Sequence, residues 1–152
     1  MVEPSSRAAS ADDPGAGGPQ VIVATGGAGF VADQPVAAGG LGLGPSPHEL
    51  VSAALAACIA QTLRFYAARK AWPLGAVHVD VQHSKDPGAS PPDAFAAQVS
   101  LSGGLSADQT QRLLELAARC PVHRMLASGA RISTNPAPGE DAGDLLFVAA
   151  PV

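Results

Sequence analysis

What this 152-residue sequence has little of narrows its chemistry. Charged residues make up 14% of it against 47% hydrophobic ones, so few charges are available to cover a surface and burial between subunits is expected. The charge balance is acidic, net −4 with a pI near 5.4, which argues against nucleic acid and anionic membranes as main partners. No basic start leads into an apolar run, so no export signal is read and a cytoplasmic location is expected. No apolar stretch reaches the roughly 20 residues that a membrane-spanning helix needs. Cysteine is scarce: Cys58 and Cys120 stand alone, and without an export signal a structural disulfide between them is disfavoured. The 17 glycines and 14 prolines stay below the level of a low-complexity chain and gather toward the two ends.

What is present is organised around residues 45–70. Ser46 suits a helix N-cap, Pro47 the first turn, and Glu49 the positive end of the helix dipole. No charge follows from Leu50 to Leu63, and alanine dominates. Leu50, Ala54, Cys58 and Thr62 form one ridge, and Val51, Leu55, Ile59 and Leu63 the next. A helix this apolar on every side is expected to be buried on most of them.

Residues 1–19 show no periodicity and read as a flexible tail, leaving 20–152 as a single domain. Residues 20–25 and 28–32 read as a β-hairpin turning at Gly26-Gly27. The Thr-Gly-Gly-Ala-Gly-Phe run there resembles a dinucleotide-binding turn, but that chemistry needs a helix directly after the glycines, and Pro35 blocks one. Residues 39–44 read as a flexible glycine-rich connection without the Lys-Ser/Thr ending of a phosphate loop. Residues 76–83 alternate, with Val77, Val79 and Val81 inward and His78 and His83 expected on the solvated side. Residues 94–102 form the partner strand, with Phe95, Ala97, Val99 and Leu101 inward. Ser106 caps a helix reaching Arg119, and Cys120-Pro121 opens a short one ended by Gly129. A short strand at 130–134, a polar loop at 136–144 and a terminal strand at 145–150 complete the reading. Antiparallel hairpins separated by helices give an α+β fold.

The two cysteines stand in different surroundings. Cys58, mid-helix among apolar residues, reads by itself as a small hydrophobe whose thiolate is disfavoured. Cys120, at a helix N-terminus between Arg119 and Arg124, is expected to favour the thiolate. Cys120 and His123, one helical turn apart, could also join Cys58 and His48 around zinc. Trp72 and Tyr66 read as core or interface, and Arg64, Arg69 and Lys70 as solvated residues at a helix C-terminus.

From Gly44 to Cys58 the chain reads Gly-Pro-Ser-Pro-His-Glu-Leu-Val-Ser-Ala-Ala-Leu-Ala-Ala-Cys, and from Cys120 to Arg124 Cys-Pro-Val-His-Arg. This pair of motifs, at this separation, resembles the OsmC/Ohr family of organic hydroperoxide resistance proteins, over residues 20–134. The resemblance implies an OsmC-like intertwined homodimer, with sheets wrapped around long central helices. It implies a thiol-dependent peroxidase for organic hydroperoxides, without haem or other cofactor. In that reading Cys58 is the peroxidatic and Cys120 the resolving cysteine, the two are joined in a transient disulfide, and an external dithiol, of lipoyl type in one branch, is the reductant. In the best-studied branch, a glutamate ten residues before the first cysteine holds an arginine from the N-terminal strands against the thiolate. Here His48 occupies that place, Glu49 follows it, and no arginine lies between Gln20 and Leu63. His48, Glu49, His123 and Arg124 are the candidate supporting groups, and no metal site is assigned. Nine or ten helical residues span about 14–15 Å, so His48 or Glu49 would reach only a partner chain's Cys58. A non-catalytic carrier of a small lipophilic ligand and a zinc-stabilised structural dimer are the alternatives.

Overall fold

The computed structural model describes residues 8–136. Strands β1 (Ala9–Asp12), β2 (Val21–Thr25) and β3 (Ala28–Ala32) form one antiparallel sheet in that order. Helix α1 (Pro47–Arg69) follows, then the long hairpin of β4 (Leu74–Lys85) and β5 (Asp93–Gly103), and finally α2 (Ala107–Ala117) and α3 (Pro121–Ser128). The α+β reading stands, with antiparallel sheets and one long helix.

Local chemistry sets most boundaries. Gly26 and Gly27 both take positive φ, as a two-residue hairpin turn requires. The Ser46 hydroxyl accepts from the Glu49 N–H, while the Glu49 carboxylate accepts from the Ser46 N–H at 2.7 Å, a reciprocal capping box. Ser106 and Gln109 repeat the device at the start of α2. Cys120 caps α3, with Pro121 in the first turn.

The core is the ridge Leu55, Ile59, Leu63 and Ala67 of α1, packed with Leu113 and Ala117 of α2 and with Cys120. Val77, Val79 and Val81 of β4 and Phe95, Val99 and Leu101 of β5 close over it. Register pairs Val77 with Leu101, Val79 with Val99, and His83 with Phe95. Tyr66 and Trp72 meet edge to face at 5.4 Å between ring centroids, at the rim of this core.

Several expectations are corrected. Ala9–Asp12, read as part of a flexible tail, is a strand paired with β2. Its small side chains are all exposed, so backbone pairing forms it with no hydrophobic alternation to announce it. The glycine-rich connection at 39–44 is pinned rather than loose. The buried Asp33 carboxylate accepts from the N–H groups of Gln34, Leu41 and Leu43 and from the Gln20 side chain, at 2.7–3.0 Å. A side chain at Gly40 would strike the Gln34 carbonyl and Asp33, and one at Gly44 the Val31 carbonyl, so glycine serves close approach there. Helix α1 buries one ridge within the chain, and its other side leaves Phe65 72% exposed. At 23 residues α1 is also long and apolar enough to cross a membrane by length and composition, contrary to expectation, but its apolar ridge is packed on β4, α2 and α3. Arg64 is no loose surface cation: its guanidinium donates to the carbonyls of Leu74 and Gly75 and ties α1 to β4. Residues 130–134 form no strand, because no partner strand meets them among the described residues, and Ile132 is 89% exposed. Beyond Pro136, the expected polar loop and terminal strand lie outside the described residues.

Candidate active site

Two elements carry the cysteines together. Cys58 stands on α1 beside the buried ridge, partly buried, and Cys120 stands at the N-cap of α3 with no exposed surface. Because α3 packs across α1, the thiols become neighbours in the core, and both are free. The Cys120 Sγ accepts a 3.3 Å hydrogen bond from the His123 N–H, the last link of its cap.

This corrects the electrostatic reading of Cys120. Burial pushes its thiol above the ordinary range, and the neighbouring Cys58 pushes in the same direction. The amide hydrogen bonds of His123 and Val122 oppose both without overcoming them. Helix position and nearby arginines favour a thiolate only where the thiol meets solvent, and this one is dry.

The supporting candidates separate. Glu49 is committed to the capping box, and the Ser46 hydrogen bonds hold its carboxyl below the usual range. His48 stacks on His83 of the same chain, with centroids 4.9 Å apart and planes 14° from parallel. His123 lies one turn into α3, half-buried, and lines two cavities of about 470 and 300 Å³. Arg124 is exposed beside it, its backbone N–H closing the first turn of α3 onto the Cys120 carbonyl. The larger cavity is walled by Leu55, Phe95 and Leu126 along with His48, His83 and Asp93.

The four-ligand zinc set of Cys58, Cys120, His48 and His123 is not gathered. Among the described residues the convergent group is His48, His83 and Asp93. His83 was expected on the solvated face of its strand, yet its side chain is 19% exposed and its Nε2 meets the Asp93 Oδ1 at 2.8 Å. The alternation already held this: His83 shares the odd-numbered parity of Val77, Val79 and Val81, so it points with them. His78, of the other parity, is exposed and pairs with Asp80 at 3.0 Å, as expected of a solvated residue.

Comparison with known proteins agrees with this architecture. A family model described as OsmC-like protein matches residues 39–135. An organic hydroperoxide resistance protein OsmC of Legionella pneumophila shares 21% identity, covering 79% of this chain and 88% of that one, with a TM-score of 0.63. A Vibrio cholerae protein named for organic hydroperoxide resistance, with captopril in one of its active sites, shares 19% over 83% and 88%, TM-score 0.61. An OsmC-like protein of unknown function from Vibrio cholerae shares 14% over 79% and 92%, TM-score 0.64. No curated protein matches the sequence.

Proposed function

The chain belongs to the OsmC-like family, and from that premise we propose that it is a two-cysteine thiol peroxidase of organic hydroperoxides in oxidative-stress defence. The observation that carries the reading is the meeting of Cys58 and Cys120, distant in sequence, inside one apolar core.

The Cys58 thiolate attacks the outer oxygen of the hydroperoxide. The O–O bond breaks, the alkoxide takes a proton and leaves as alcohol, and Cys58 becomes a sulfenic acid. The Cys120 sulfur then attacks the Cys58 sulfur, water leaves, and a Cys58–Cys120 disulfide forms. An external dithiol, of lipoyl type in the family resemblance, returns both thiols by exchange and is itself oxidised to its disulfide. The two electrons that cleave the O–O bond thus come from the dithiol, and no cofactor is required. Cys120, kept protonated by burial, acts best once its proton has a path out. In this reading His123, whose N–H already donates to the Cys120 sulfur and whose side chain lines the cavities, takes it. With His48 and Glu49 engaged within their own chain, support of the thiolates falls to His123 and Arg124. The apolar residues packed around Cys58 and Cys120, among them Leu55 and Ile59, suit alkyl hydroperoxides over hydrogen peroxide. The working unit in this reading is a cytoplasmic homodimer, which covers the exposed side of α1.

The test is consumption of cumene hydroperoxide with dihydrolipoamide, comparing the parent chain with Cys58→Ser and Cys120→Ser. Cys58→Ser should lose turnover, and Cys120→Ser should react once and then turn over poorly. Equal rates in all three would remove the reading. The larger cavity also favours a second reading, carriage of a small lipophilic molecule: saturable binding of a fatty acid with no peroxide turnover would select it.

A further inference from the structure

The histidine–aspartate cluster stands outside the thiol chemistry, and its geometry points to a divalent transition-metal site formed by His48, His83 and Asp93. One ligand atom from each side chain lies within 4.8 Å of the other two. The three come from separate elements, the first turn of α1, the end of β4 and the start of β5, and two devices position them. The Ser46–Glu49 capping box sets the first turn of α1. The β4–β5 register sets His83 opposite Phe95 and Asp93 opposite Lys85.

The spacing of the His83–Asp93 pair comes close to what an ion needs. Ligand atoms bound at about 2.0–2.2 Å in a tetrahedral or octahedral shell stand roughly 3–3.5 Å from one another. The His83 Nε2 and Asp93 Oδ1 are at 2.8 Å, so an ion would replace the proton they share with little rearrangement. His48 stacks on His83, so binding requires its ring to leave that stack and turn inward; it is exposed in the first turn of its helix, so the turn leaves the core undisturbed. Two imidazoles and one carboxylate suit zinc and its neighbours, and leave a coordination position free for water or a ligand. The three side chains line the cavity of about 470 Å³, together with His123 and Leu126 of α3. The site is thus open to solvent and uses neither thiol.

Cobalt(II) as the probe and zinc(II) by calorimetry test this on the full chain, stripped of metal with a chelator. The background is the Cys58→Ser/Cys120→Ser double variant, so that thiolates do not compete. One cobalt ion per chain is expected, with visible d–d absorption and no thiolate charge-transfer band. His83→Ala and His48→Ala should each weaken binding at least about tenfold, whereas His78→Ala, which alters the exposed pair with Asp80, should leave it unchanged. His48→Ala changes an exposed side chain and keeps the test sound if His83→Ala perturbs the strand. No binding at millimolar cobalt, affinity in both histidine variants as high as in the background, or an equal loss in His78→Ala would overturn the site. Peroxide turnover measured in excess chelator is a separate matter, so failure of one reading leaves the other standing.

Discussion

The cysteine pair and the His48–His83–Asp93 cluster are both built from segments far apart in the chain, and they occupy opposite kinds of surroundings. Cys120 has no exposed surface and lies among Leu55, Ile59, Leu63 and Leu113, so desolvation governs its proton. Asp93 is 42% exposed, and the hydrogen bond from His83 governs its proton. Burial raises the acid at one end of α1's neighbourhood and a partner lowers the acid at the other. The same helix therefore borders a dry region suited to sulfur chemistry and a wet one suited to charge.

The contrast is broken most forcefully by emptying the dry side. Leu63 is fully buried in mid-helix, and Leu63→Ala should cost about 2–5 kcal/mol in denaturant unfolding. The corresponding truncation on the wet side, His48→Ala in the metal-free protein, should stay within roughly 0.5 kcal/mol. Similar losses at both positions would show that the two regions are not packed differently after all.

The next effect is on reactivity. With Cys58→Ser removing the neighbouring thiol, Cys120 should alkylate at pH 8 about tenfold more slowly in the folded chain than in urea. Its folded pKa is raised, so the stabilisation is fully present below the ordinary thiol range and is lost as pH rises through the folded value. The parent chain should therefore weaken on the alkaline side more than Cys120→Ser does. Alkylation of folded Cys120 as fast as in urea would place its thiol in water. Smaller again is the cap that sets the first turn of α1: Ser46→Ala should cost about 1 kcal/mol by thermal or chemical unfolding.

How much of this was legible in the sequence follows the range of the interactions. The N-caps at Ser46 and Ser106, the Gly26-Gly27 turn and the alternating hairpin depend on neighbours a few residues apart, and they stand where the sequence places them, whereas the reciprocal bond from Glu49 to the Ser46 cap is found only in the structure. The meeting of Cys58 with Cys120 came from a paired motif, since no local rule joins residues so distant. The proton affinity of Cys120 was misread because helix dipole and arginines are local, whereas burial is tertiary. Asp33 went unnoticed for the same reason: its partners at Leu41 and Leu43 converge only when the loop folds back. His83 is the instructive miss, because parity placed it inward and only its polarity argued otherwise. The strand expected at 130–134 shows the converse, a segment with Ile132 and Thr134 that stays irregular where no partner strand meets it among the described residues.

The finest probe of the contrast is Asp93→Asn. The His83 hydrogen bond lowers the Asp93 pKa, with Lys85 assisting, so the folded value lies below the unfolded one. Such a group contributes stability above the unfolded carboxylate value, about 3.9, and loses it as pH falls through the folded value. The parent chain should therefore lose stability between about pH 4 and lower values more steeply than Asp93→Asn in metal-free buffer. Partial exposure screens the interaction, so the difference should be the smallest of the four and should shrink further with added sodium chloride. The alkaline loss tied to Cys120 should be indifferent to salt, because desolvation rather than a solvent-exposed pair causes it. A salt response at both ends of the pH range, or at neither, would mean that the two regions hold their protons by the same mechanism.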